Sequence, residues 1–165
     1  MENNKVKNTI NIIVFFFVTL IGILFFIIIL PFIVISYPYT YYKSKKFEKQ
    51  YSDFLMQNNE SNFFCYNNSK KSKEFIETEI IPCLDKQIEV VYLNGKQVET
   101  ENYSKEFISN ALYSLRNYSR YPHLMKIREG KLVDKSINSL FFSVKNQNKS
   151  KDKLLVEIHN FFELN

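Results

Sequence analysis

Few side chains in this chain have the chemistry of a catalytic group. Two cysteines, Cys65 and Cys83, stand eighteen positions apart, with no CxxC pair and no histidine cluster beside them. The two histidines, His123 and His159, are isolated. A structural zinc site needs about four ligands at recognisable spacing, so no metal and no cofactor is expected. A Cys65–Cys83 disulfide is open in an oxidising compartment. As free thiols, both residues are expected in the core, where unpaired cysteine is most at home. The turn Ser69-Lys70-Lys71-Ser72, with Lys73 following, sits where a helix starts. Exposed N–H groups at such a place favour an anion, with a solvated cap as the plainer alternative. His123 follows Pro122, and Glu74 or Glu77 is a conceivable acid–base partner for it. Tyr113, Tyr118 and Tyr121 form an aromatic group suited either to a partner surface or to burial. His159 is expected on the exposed side of the last helix.

The elements that position these residues begin with a membrane segment. Residues 8–42 carry no charged side chain. The run IIVFFFVTLIGILFFIIILPFIVI, interrupted only by Thr19, Gly22 and Pro31, would span about 36 Å as a helix, enough to cross a hydrocarbon core of about 30 Å. It is longer than the apolar region of a signal peptide and lacks a small-residue cleavage site. The expected transmembrane helix covers 10–36, after a tail at 1–9. Tyr37, Tyr39, Tyr41 and Tyr42 then mark the membrane interface, because a tyrosine ring is apolar and its hydroxyl is wet. Lys43, Lys45, Lys46 and Lys49 follow, against Lys5 and Lys7 before the span. That excess favours a cytoplasmic soluble domain, with the other orientation as the alternative. The lipid bilayer is therefore the first expected partner. Residues 37–61 read as an interfacial segment and a stalk helix, with Phe47, Tyr51, Phe54 and Leu55 on one face.

The soluble part, 62–165, is a single small domain. All charged residues except Glu2, Lys5 and Lys7 lie beyond residue 42, leaving a net charge of about +4 there against +5 for the chain. No dense basic run interleaves with aromatics, so nucleic acid is not an expected partner. Phe63–Tyr66 reads as a buried strand and Lys70–Leu84 as a helix with Phe75, Ile76, Ile80 and Leu84 on one stripe, ending near Pro82. Ile88–Leu93 is a β-branched strand, and Asn94-Gly95 a turn that either closes a hairpin onto Lys96–Glu99 or begins a loop. Ser104–Leu115 is an amphipathic helix capped by Asn102 or Ser104. HLMKI and the segment from Leu132 make an antiparallel hairpin around Arg128-Glu129-Gly130-Lys131. Ser139–Lys145 reads as a strand or a covering loop, and Ser150–Leu164 as a closing helix. The expected fold class is α/β: an N-terminal transmembrane helix, then a mixed sheet in the order β-α-β-α-β-β-α.

That order resembles the thioredoxin fold. The resemblance is carried by FFCYNN running into SKKSKEFIETEIIPCL, then IEVVYL, then the proline-strand-Gly-turn-strand pattern YPHLMKIREGKLV, then KDKLLVEIHNFFEL. It covers about 62–164. It implies that Pro122 is cis and faces the turn Ser69–Ser72, which would occupy the place of the family's redox motif. The turn has no thiol, and thiol–disulfide exchange requires a thiolate. The segment 69–84 is also similar to small uncharacterised bacterial proteins of the same layout, which adds no mechanism. The resemblance therefore implies a membrane-anchored, non-redox thioredoxin-like module that binds another protein within a membrane complex. Its candidate ligand or partner site is Ser69, Lys70, Lys71, Ser72, Tyr121, Pro122 and His123. Two alternatives stand beside it: a degenerate redox-related or other enzyme with a site near Ser69–Ser72 and Pro122, and a membrane-complex subunit with an unrelated α/β domain.

Overall fold

A computed structural model describes residues 2–115, 118–147 and 149–164, with side chains from residue 11 onward. Lys5, Lys7 and the start of the connection at Arg116 and Asn117 thus lie outside what is described of the side chains. Two compact units emerge, Met1–Lys49 and Gln50–Asn165. The first consists of helix α1 (Glu2–Gln57) up to Lys49. Its apolar side chains from Ile12 to Tyr42 are exposed, and it is the one stretch among the described residues long and apolar enough to cross a membrane. Pro31 and Pro38 lie inside the helix. Thr19 and Thr40 turn their hydroxyls back onto the carbonyls of Phe15 and Ser36, as isolated hydroxyls must where water is scarce.

The second unit is a five-stranded mixed sheet in the order β3-β2-β1-β4-β5. Strand β1 (Asn62–Asn67) is central, parallel to β2 (Ile88–Asn94) and antiparallel to β4 (His123–Arg128). Strand β3 (Gln97–Glu99) pairs with the end of β2, and β5 (Lys131–Ser136) with β4. Asn94-Gly95 therefore closes a hairpin, with Gly95 at the positive φ of 64° that the first residue of a tight hairpin turn requires. Glu129 and Gly130, both at positive φ, make the second hairpin turn.

Alternation along β1 divides the core. Phe64 and Tyr66 face Ile76, Ile80, Leu124, Phe141, Leu154, Ile158 and Phe162. Phe63 and Cys65 face Val91, Ile108, Leu112, Met125, Ile127 and Phe54. The first layer is built by α2 (Lys73–Phe75) with its π and 3-10 continuation to Cys83, α4 (Asn138–Asn146) and α5 (Asp152–Phe162). The second is built by α3 (Lys105–Ser114) and the last turns of α1. The stalk stripe is thus partly core: Phe54 is buried, its ring centroid 5.0 Å from Phe107 and its edge against Tyr103.

Three sequence expectations need correction. Ser139–Lys145 is neither strand nor loop but lies within α4. Ile137, Phe141 and Val144, all buried, recur at i, i+4 and i+7, and this helical period prevails over the β-propensity of Phe and Val. The helix at 70–84 is not uniform. Pro82 has no N–H to give the Thr78 carbonyl, and the turn before it widens, with Ile81 donating to the Ile76 carbonyl. Of the two caps expected for the helix at 104–115, Ser104 holds the N-cap position and Asn102 does not, because its side chain and N–H bond Glu89.

Arg128 ties the ends of several elements. Its guanidinium donates to Asn62 Oδ1 at 2.9 Å and the Ile127 carbonyl at 2.9 Å, and Nε faces Glu60 at 3.2 Å. We expect Phe54→Ala to destabilise the domain by about 3 kcal/mol, through lost contacts with Phe107 and Tyr103 and the cavity left behind. Urea unfolding of the full chain in detergent micelles measures it.

Candidate functional site

The turn after β1 is satisfied by its own backbone. Asn67 Oδ1 accepts from the Ser69 N–H at 3.3 Å, and the Ser69 carbonyl accepts from the N–H groups of Ser72 and Lys73 at 3.0 and 2.9 Å. Ser72 is buried, and its hydroxyl returns to the Ser69 carbonyl at 3.4 Å. Lys70 and Lys71 are exposed on an open hollow that they share with Glu74, Glu79 and Lys145. Charges of both signs there give no preference for an anion. The N–H groups that open the following helix are already taken, Ser72 and Lys73 by the Ser69 carbonyl and Ile76 by the Ser72 carbonyl.

The Tyr121–Pro122 peptide is cis. Its surroundings are held by the start of α4: the Pro122 carbonyl accepts from the Ile137 N–H at 3.2 Å, and the Tyr121 carbonyl from the Asn138 side chain. Ser136 donates to the Arg120 carbonyl at 2.8 Å. His123 is fully buried, and its partner is Asp134 on β5, not Glu74 or Glu77. Nε2 lies 2.8 Å from Asp134 Oδ2, and Nδ1 3.4 Å from the Arg120 carbonyl. Glu77 instead accepts from the Tyr66 hydroxyl at 2.9 Å. Burial first, and this bond second, push the Tyr66 phenol up.

Cys65 and His123 are directly opposite across β1 and β4, so their side chains share a face. With Asp134 they line up as a thiol, an imidazole and a carboxylate. The hydrogen bonding does not make them a nucleophilic constellation. Both imidazole nitrogens point at oxygens, Asp134 Oδ2 and the Arg120 carbonyl, and neither is directed at the Cys65 thiol. The thiol is completely buried, and desolvation pushes its pKa up rather than down. A reactive cysteine needs the opposite environment. Cys83, expected in the core with Cys65, is exposed at the end of the 3-10 turn because Pro82 stops the helix there. Both cysteines are free. His159, expected exposed, is half-buried on α5.

The expected site residues divide between surfaces. Lys70 and Lys71 line the charged hollow, whereas Tyr121 lines a cavity of about 310 Å³ with Tyr113, Tyr118, Leu93, Val98 and Leu112. Tyr113 and Tyr118 are exposed, with ring centroids 6.4 Å apart, and burial pushes the Tyr121 phenol up. The tyrosine group is therefore split, with Tyr113 and Tyr118 exposed and Tyr121 half-buried. No described cavity is lined by both Ser69–Ser72 and Pro122–His123. Tyr37, Tyr39, Tyr41, Tyr42, Lys43, Lys45 and Lys46 are exposed along α1, and Lys45 pairs with Glu48 at 2.8 Å. No cluster able to hold a metal occurs among the described residues.

Sequence reasoning missed Glu89. One of its oxygens accepts from the Thr100 hydroxyl at 3.0 Å and from the N–H groups of Glu101 and Asn102, and the other from Asn102 Nδ2 at 2.9 Å. The signal was present as a lone acid in an otherwise apolar strand, IEVVYL. Compared with family models, curated proteins and solved structures, the chain matches none.

Burial works to raise the Glu89 pKa, and the four hydrogen bonds outweigh it, holding the carboxyl below its ordinary value. A group lowered in this way stabilises the folded state above the ordinary carboxylate pKa and loses that contribution as pH falls through its folded value. Glu89→Gln should cost about 1 kcal/mol at neutral pH. The difference from wild type should close below about pH 4. Urea titrations across pH 3–7 measure both.

Proposed function

We propose that the chain is a single-pass, membrane-anchored, non-redox thioredoxin-like module that mediates protein–protein interaction in a membrane complex, with its domain on the cytoplasmic side. The observation that carries this reading is the pairing of a parallel β1–β2 unit with the antiparallel β4–β5 hairpin after Pro122, closed by α5. This keeps the element order of the resemblance, with β3 and α4 inserted. The exposed apolar stretch of α1 supports the anchor, and the lysines after it support the orientation.

The non-redox part rests on chemistry. The turn at the β1 end offers serine hydroxyls, which form no disulfide. The cysteine nearest to it in sequence, Cys65, is sealed in the sheet with a raised pKa. Binding is then the activity such a domain can retain. The tyrosine-lined cavity and the open side of the sheet at β2 are the surfaces available for it.

In-cell photo-crosslinking from the domain, in the native membrane, tests the reading. A discrete adduct should form in the wild type and persist unchanged in the Cys65→Ala/Cys83→Ser double variant. Loss of the adduct in that variant, or disulfide reductase activity of the wild type, would overturn the non-redox assignment. Absence of any adduct would overturn the interaction role.

A further inference from the structure

The sheet has an unpaired edge. Strand β2 starts at Ile88, but β3 reaches only Glu99, opposite Tyr92. Ile88–Val91 therefore has β1 on one side and no strand on the other. The phase of the backbone follows from Leu93, whose carbonyl accepts from Asn68 on the β1 side at 3.0 Å. Successive residues alternate, so Ile88, Val90, Tyr92 and Asn94 point their N–H and C=O groups outward. Asn94 and Tyr92 meet Gln97 and Glu99. The Ile88 N–H donates to the Asp85 carbonyl at 3.0 Å. The Ile88 carbonyl and both backbone groups of Val90 have no strand beside them among the described residues.

Glu89 is the cause. By gathering Thr100, Glu101 and Asn102, it pulls the chain off the edge after Glu99 and toward α3. What remains is an open groove of about 1150 Å³ along β2. One wall is Ile81, Val90 and Tyr92, partly buried apolar groups on the α2 face. The other is Lys105, Glu106 and Ser109 on α3, polar throughout.

We propose that this edge receives an extended segment of a partner protein as an added strand in line with β3. Backbone donors and acceptors in a row are matched by another extended backbone. The walls set the side chains: alternate residues apolar over Ile81, Val90 and Tyr92, the others polar toward Lys105, Glu106 and Ser109. The run Ile88–Val91 measures about 13 Å, so about four residues pair. A second copy centred on Val90 does not fit. Antiparallel pairing centred on Val90 would set the copy's Tyr92 opposite Ile88, and the copy's own β3 already fills that gap. The inference rests on the interaction reading above and names its surface.

The test uses the full chain in nanodiscs, a random 12-residue peptide display library, and Val90→Pro. Proline is compatible with this position because the lost N–H faces outward, not into the β1 ladder. Clones enriched on the wild type should alternate apolar and polar residues. They should bind Val90→Pro at least tenfold more weakly and lose binding when the peptide amides are N-methylated. In the free wild-type chain, the Val90 amide should exchange with solvent far faster than Val91. No enriched clone, equal binding to Val90→Pro, or a Val90 amide as slow as Val91 would each overturn the proposal. The crosslinked adduct separates the two readings. An adduct undiminished in Val90→Pro removes this edge and leaves the interaction role standing, whereas absence of any adduct in the wild type removes the role itself.

Discussion

Every layer of the domain depends on β1 being buried on both faces. Phe63, Phe64 and Cys65 have no exposed surface, and Tyr66 very little. A strand with apolar groups on both sides must lie inside a sheet covered above and below. That requirement sets β2 and β4 on either side of it, and helices over each face. It also recruits the last turns of α1, because Phe54 completes the cover on the α3 side. Burial of the consecutive side chains Phe63–Tyr66 removes apolar area from water at roughly 25 cal/mol per Å², and the neighbouring β4 is buried over an equally long run.

The same constraint determines the chemistry. A cysteine in the middle of such a strand is desolvated, and desolvation disfavours the thiolate. Its neighbour across the sheet, His123, shares that environment and needs both of its nitrogens matched. Asp134 Oδ2 lies 2.8 Å from one nitrogen and the Arg120 carbonyl 3.4 Å from the other. The three groups therefore satisfy polarity inside a core rather than generate a nucleophile. At the end of β1 the chain turns back on itself, and Ser72 is drawn inward to its own turn. The open surfaces left over are the sheet edge, the charged hollow at Lys70 and Lys71, and the cavity beside the exposed tyrosines.

Much of this was legible from residue patterns, and the failures have physical causes. The apolar stretch of α1, β1, β2, the β4–β5 hairpin and α3 all follow from periodicity and turn residues. SLFFSVK misled because Phe and Val favour strands in general, whereas the i, i+4, i+7 spacing begins at Ile137, two residues before the segment. The burial of Cys65 followed from its apolar neighbours. The exposure of Cys83 did not, because it depends on Pro82 widening and then ending a helix. The pairings of Asp134 and Glu89 were hidden for another reason. Their partners are 11 or more residues away in the chain, and only strand register and loop closure bring them together.

Differential alkylation of the two thiols in the native full chain, with the site of modification read by mass spectrometry, tests the central claim most directly. The account predicts that Cys83 reacts at the rate of an exposed thiol, while Cys65 reacts only at denaturant concentrations that unfold the sheet. Modification of Cys65 under native conditions at a rate comparable to Cys83 would contradict it, because the thiol would then be accessible, and β1 could not be the sealed centre of the domain.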